Sequence, residues 1–277
     1  MGDRGDGAAI VETVARTRQR RGRQRFLRGV VVKTVFLAGL LALWQGASAL
    51  ELWNEMLFPS PLQVLAAVTA AFRDGSLPAA IAASLKRLSV GYGVSVAVGI
   101  PLGLIMGRVR LADETLGTVA LGLQALPSIC WLPLAILWFG LNEAAMFFVI
   151  FMGSVMALVL AVRDGVRNVP PPLLHAARVL GADGGAFYLH VLLPASLPSV
   201  LTGARLGWSF AWRSLMAAEL LYGTVGLGST LSVGRELHDM ALVVATMLVI
   251  VAIGLTMDRL FFGGMDRAIR VRWGTDR

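Results

Sequence analysis

The side chains best able to do chemistry in this chain are ionised groups set inside apolar sequence. Arg205, Arg213 and Glu219 all fall in the run 197–220. An ionisable side chain near the middle of a bilayer costs at least about 2.5 kcal/mol, so it normally faces protein or water. Arg205 lies near one end of the run, where a long side chain can snorkel to the interface. Arg213 is close to the middle and Glu219 nearer the far end. Six positions separate these two, which sets them about 120° apart around a helix. They therefore look to other helices, or to a second copy, for partners. A cation lining a solute path would favour an anion such as a sulfonate or carboxylate; the competing reading of Arg213 is a structural ion pair, because buried charges are usually paired. Trp208 and Trp212, at i and i+4, share one face, either for aromatic packing or for stacking on a solute. Gln124 is a polar outlier in another apolar run. Arg213, Glu219, Trp212 and Gln124 are the candidate residues of a translocation path or gate.

Enzyme-like constellations are missing from the sequence. The three histidines are His175, His190 and His238, too dispersed to form one metal or catalytic site. No G-x-x-x-x-G-K-[ST] phosphate loop, nucleophile elbow or H-E-x-x-H motif occurs. The one cysteine, Cys130, excludes an intrachain disulfide and reads as a small apolar side chain.

The elements that must position these residues are membrane helices. Of 277 residues, 56% are hydrophobic and only 15% charged, against about 25% charged in soluble domains. Six apolar runs are long enough to cross a bilayer, which takes about 20 residues. They are about 30–50, 84–106, 115–139, 143–163, 197–220 and 240–262. The first could be a signal peptide, since Ala47-Ser48-Ala49 resembles a cleavage site; its length favours a retained helix. Phe58-Pro59-Ser60-Pro61 reads as a rigid turn, and Leu62 to Phe72 as a short amphipathic surface helix closed by Asp74-Gly75 and Pro78. Gly99, Gly103 and Gly107, and likewise Gly203 and Gly207, put small residues on one helix face. That face serves packing within the chain or contact with a second copy.

The net charge of +8 is distributed as topology rather than as a nucleic-acid footprint. Eight arginines lie between Arg4 and Arg28, in a basic segment 1–28. Arg108, Arg110, Arg163, Arg167, Arg178, Arg259 and the C-terminal tail fall on the same predicted side. Cations flank the cytoplasmic ends of spans, so both termini are expected in the cytoplasm, with residues 29–277 forming the membrane domain. Arg73 and Arg235 fall on the outside, and Lys86 and Arg87 at an outer helix end.

One long polar segment, 164–196, interrupts the apolar pattern. Residues 172–180 read as a short helix, with Pro172 in its first turn and Gly181 as a left-handed cap. Residues 184–192 read as a second short helix ended by the approach to Pro194. Ala176 and Ala177 leave a shallow surface for another protein, and Gly181 permits a sharp turn. Such a unit can carry motion from a cytoplasmic partner to the helices.

This segment resembles the EAA loop of ABC importer permeases: Glu-Ala-Ala, three residues, Gly, nine residues, then Ile-x-Leu-Pro. His175-Ala176-Ala177, Gly181, Val191, Leu193 and Pro194 match every spacing. His175 replaces the family's Glu, removing a carboxylate contact, and Val191 replaces Ile. Phe58-Pro59-Ser60-Pro61, Ser84-Leu85-Lys86-Arg87, the stretch 99–107, the stretch 132–140, Ala217-Ala218-Glu219 and Gly226-Leu227-Gly228 are similar to the nitrate, sulfonate and taurine branch.

The resemblance implies an all-α, polytopic type I importer permease with six transmembrane helices and a cytoplasmic coupling helix, in a bacterial inner membrane. It implies a second permease copy, two cytoplasmic ATP-binding subunits and a periplasmic solute-binding protein as partners, besides membrane lipid and no nucleic acid. It implies no cofactor in this chain, ATP and magnesium belonging to the ATPase. The rival reading is a secondary transporter driven by an ion gradient, which calls for coupling carboxylates near the midplane. Glu219 is the acidic residue inside a run that could serve it.

Overall fold

The computed structural model describes residues 28–29, 31–50, 54 and 57–273. Most of the basic segment 1–28, and the tail beyond 273, lie outside the described residues. The chain divides into two compact units, 1–64 and 65–277.

In the first unit, helix α1 (Val31–Ala49) is apolar enough to cross a membrane. The Trp44 indole donates to the Pro59 carbonyl at 3.1 Å and meets Phe58 edge-on. Helix α2 (Pro61–Arg73), of which only Pro61–Val64 belongs to this unit, starts on a capping box. Gln63 N–H donates to the Ser60 hydroxyl, and the Ser60 N–H donates to Gln63 Oε1 at 2.7 Å. Two amide donors that a helix start leaves orphaned are thereby satisfied, with Pro61 in the first turn where it needs no donor. The turn read from two prolines is thus also a helix start, signalled by S-x-x-Q.

In the second unit, α3 (Ser76–Arg108) follows the left-handed Gly75. Asp74 accepts the Ser76 N–H at 2.8 Å, and this bond holds its carboxyl below the usual range. The helix begins eight residues before the expected span, because Pro78 sits in its first turn rather than ending anything. Arg87 therefore lies well inside the helix, not at its end.

Helices α4 (Arg110–Gln124) and α5 (Ser128–Phe139) are bent by 100° across the break between them. The expected single span 115–139 is corrected here. Pro127 adopts an extended conformation and cannot donate, so the helical ladder stops at Gln124 and restarts at Ser128. Helix α6 (Glu143–Arg167) is capped by Asn142, whose side chain accepts the Ala144 and Ala145 N–H groups.

The core is the contact of α3 with α6. A Cβ added at Gly99 would fall 2.9 Å from Leu158, at Gly103 2.5 Å from Val162, and at Gly107 2.5 Å from Val166. Both members of each pair advance by four residues, so the two helices run parallel with their backbones close together. Ser95 and Ser154 share a hydroxyl bond of 2.7 Å in the same seam. A Cβ at Gly203 would meet Ala161 at 2.5 Å, which packs α8 (Leu193–Tyr222) antiparallel on the same helix. The four-residue glycine spacing thus serves packing within the chain.

Arg108 and Arg167, the last residues of the parallel helices α3 and α6, lie at one end of this unit. The polar segment leaves α6 at that end through α7 (Pro171–Val179). The expected second short helix does not stop at Pro194. Gly184–Phe187 runs through a π-helical turn, Tyr188–Leu192, directly into α8. The Leu193 N–H reaches back five residues to the Tyr188 carbonyl. This wide turn makes room for a proline ring that would collide with a carbonyl in a tight one.

Helices α9 (Leu227–Glu236) and α10 (Met240–Val271) complete the unit. Four described helices, α1, α3, α6 and α10, are long and apolar enough to span a membrane, and the bent pair makes a fifth. Helix α8 has the length, 30 residues, but is not among them.

Candidate functional site: a lever, a cavity and a buried charge network

The candidate lever is α7 and the turn that ends it. The Ala182 N–H donates to the Ala177 carbonyl and the Gly181 N–H to the Arg178 carbonyl, both at 3.0 Å. This crossed pair is the Schellman ending, and it needs a left-handed residue at Gly181, whose φ is +80°. A Cβ there would meet nothing within 4 Å, so the requirement is conformational and not steric.

Ala177 is buried with Val166, Val169, Phe187 and Leu192, and Val191 and Leu193 pack against that cluster. One face of the lever is therefore welded to the end of α6 and the start of α8. His175 and Ala176 face solvent. Val179 and Leu180 are 87% and 86% exposed at the tip. Pro194 lies in the first turn of α8.

The cavity, about 280 Å³, opens at the break between α4 and α5. Gln124, Pro127 and Ser128 border it on one side, Gly153 and Met156 of α6 on another, and Phe210 and Arg213 of α8 on a third. Irregular backbone at membrane depth is tolerated where it lines a cavity. Arg213 is exposed, donates to the Ser209 carbonyl at 3.2 Å, and lies 4.7 Å from the centre of the Phe210 ring. Among the described residues no carboxylate lies within 4.0 Å of it. The amino end of α5 borders the same space and adds partial positive charge.

Glu219 is elsewhere. It is fully buried, and both oxygens are engaged. Ser84 Oγ lies 2.9 and 2.7 Å from them, Arg87 Nη1 donates at 3.0 Å, and the Gly228 N–H donates at 3.0 Å. Arg87 also donates to the Val225 carbonyl at 2.6 Å and to Glu143 at 3.2 Å. A Cβ at Gly226 would sit 2.5 Å from the Glu219 carboxylate, so the chain passes directly over it. This network ties α3, α6, α8 and the start of α9. Trp212 is buried too, stacked on Trp208 with ring centres 5.8 Å apart. Of the four candidate path residues, the structure brings Gln124 and Arg213 to one cavity and leaves Glu219 and Trp212 in the packed interior.

Sequence reasoning did not identify Ser84, Arg87, Gly226 and Gly228 as the partners of Glu219. A signal was present: Ser84, Arg87, Gly91 and Ser95 recur at helical spacing on one small and polar face. Asp113 was also missed. It accepts from Arg163 and Arg167, pinning the π-helical turn of α4 to the end of α6. Arg205 is clamped through two of its guanidinium nitrogens, Nε and Nη2, to Asp258 of α10.

Together these features define a class: a polytopic helical membrane protein with a short helix and turn, α7, between two of its long helices. Residues 99–269 match the model of the binding-protein-dependent transport system inner membrane component. A putative ABC transporter permease protein of Methanocaldococcus jannaschii is 36% identical over 83% of this chain and 88% of its own length. The taurine transport system permease protein TauC of Escherichia coli is 29% identical over 91% of this chain and 93% of its own. Permeases named for nitrate and bicarbonate in Synechocystis sp. and for aliphatic sulfonates in E. coli are 29%, 28% and 31% identical, over 83%, 84% and 79% of this chain and 86%, 86% and 84% of their own. A solved chain of the inward-facing MetNI methionine ABC transporter shares the fold, with a TM-score of 0.58 at 17% identity over 67% of this chain and 92% of that one. The chain belongs to the binding-protein-dependent permease family, in its nitrate, sulfonate and taurine branch, and is a permease subunit of an ABC importer.

Proposed function

We propose that this permease passes a small anionic solute, of sulfonate, nitrate or bicarbonate type, from a periplasmic binding protein to the cytoplasm. Two copies form the path and two ATP-binding subunits drive it, with ATP and magnesium held by those subunits. ATP hydrolysis is theirs, and this chain is not an enzyme. The observation that carries the reading is the lever: a left-handed Gly181 presents bare Val179 and Leu180 on a helix whose opposite face is packed into α6 and α8. Force applied to that tip by an ATPase reaches the spans through rigid contacts.

In this reading α8 crosses the membrane as the sixth span, with the protein in the inner membrane and its basic ends inside. Its low hydropathy is offset by pairing, since Arg205 is held by Asp258 and Glu219 by Arg87. Arg213 and Gln124 line the path and His175, Ala176, Ala177, Gly181, Val191, Leu193 and Pro194 form the coupling loop. The anionic solute is supported by the named relatives and by Arg213 beside the amino end of α5. Gradient-driven transport is disfavoured because Glu219, the carboxylate it would use, is already fully bonded.

Copurification with a Walker-type ATP-binding subunit, if one is encoded nearby, tests the lever. Val179→Asp with Leu180→Asp should abolish the complex while leaving insertion intact. A complex of unchanged yield would remove the tip from the interface.

A further inference from the structure

At the lever end of the second unit, the described arginines mostly have carboxylates. Arg110 pairs with Glu114, Arg163 with Asp113 and Asp164, and Arg167 with Asp113. Arg108 and Arg178 are different. Their guanidinium carbons lie 5.2 and 5.8 Å from the centre of one ring, Phe187. Among the described residues neither lies within 4.0 Å of a carboxylate or donates a hydrogen bond. Their placement has local causes: Arg108 is the last residue of α3 and Arg178 lies in the last turn of α7, where carbonyl ends attract cations. The π-face of a buried aromatic adds to this.

Those causes hold two like charges at one ring. The space they border is a cavity of about 300 Å³, room for roughly ten waters. Ala182, Asp183, Gly184 and Tyr188 complete its wall. Three elements meet there: the exit of a membrane span, the lever, and the short helix leading into α8. Two unpaired guanidiniums in fork geometry fit a phosphate group. Arg108 ends a helix long and apolar enough to span a membrane, and anionic lipid attracts cations at such ends.

We propose that Arg108 and Arg178, over Phe187, form a phosphate seat for an anionic phospholipid head group that joins the lever to the end of α3. The shared chemistry is a phosphate with net negative charge. The lever, otherwise held to the spans by Ala177 and its apolar neighbours, gains a second, lipid-dependent attachment to α3.

The test is thermal melting and native mass spectrometry of the full chain in lipid-free detergent at constant ionic strength. Phosphatidylglycerol, phosphatidylcholine and inorganic phosphate are added separately. Phosphatidylglycerol should raise the melting temperature and remain bound, with phosphatidylcholine inert. Arg108→Gln with Arg178→Gln should weaken retention about tenfold and abolish the shift, while Arg110→Gln, a surface control, retains both. Should the double variant fail to insert, Arg178→Gln alone, at an exposed position, carries the same readout. A shift from inorganic phosphate that is lost in the variant keeps the seat and assigns it to a soluble phosphate. Equal shifts from both lipids, no shift from any addition, or a shift that survives both substitutions overturns the proposal.

Discussion

Two ionised groups six residues apart on α8 live in opposite surroundings. Glu219 is buried among three donors, Ser84 and Arg87 of α3 and the Gly228 amide of α9, and even the backbone over it is glycine so that no side chain intervenes. Arg213 borders a cavity and has one backbone carbonyl and one aromatic face. A buried charge stripped of its partner is strongly destabilising, whereas an exposed one contributes little to stability. The helix therefore uses one charge to fasten itself to its neighbours and presents the other to whatever enters the cavity. Fastening near Glu219 leaves Arg213, six residues back on α8, beside the cavity, and in the proposed reading this is the part that meets solute.

The sharpest way to break this comparison is Glu219→Ala. It leaves Arg87 buried without its main anion, and a loss of about 3–5 kcal/mol is expected in thermal or denaturant unfolding of the detergent-solubilised protein. Replacing Arg87 and Glu219 together with methionine should restore much of that loss; additive losses would mean that the pair is not a unit. Gly226→Ala comes next. Its methyl would fall 2.5 Å from the Glu219 carboxylate, and an overpacking cost of about 1–3 kcal/mol should appear in the same melt.

Gly181→Val is expected to be milder for stability and severe for coupling. The position is open to a side chain but its φ of +80° is not, so the turn should relax at about 1–3 kcal/mol of local strain. ATP hydrolysis by the reconstituted complex should then proceed without solute uptake. Smallest in stability is Arg213→Ala, expected within about 0.5 kcal/mol of the parent, with anion uptake reduced about tenfold. Unchanged uptake would take Arg213 off the path, and a large stability loss would make it a second fastening.

Helix α7 and its glycine cap were legible in the sequence because their signals are local. A proline in the first turn, an Ala-Ala face and a capping glycine are each set by neighbours within a few residues, and α7 begins and ends within one residue of the expected bounds. The glycine spacing was legible too, though sequence alone left open which helix it faces. The Glu219 network was not, because Ser84 and Arg87 lie more than 130 residues away along the chain. The break at Pro127 was hidden by composition: both of its arms are apolar, so the run 115–139 reads as continuous. The coupled start of α8 was misread because a proline that ends an ordinary helix is absorbed by a π-helical turn.

The central claim is that this chain is the membrane half of an ATP-driven importer for a small anion. Uptake of radiolabelled taurine, an alkanesulfonate, nitrate and bicarbonate into proteoliposomes tests it most directly. The vesicles would hold this chain with a candidate ATP-binding subunit and receive a candidate solute-binding protein. ATP inside the vesicles should drive uptake of one of these anions, unaffected by a protonophore. Uptake that persists without the ATPase and collapses with the proton gradient would contradict the account.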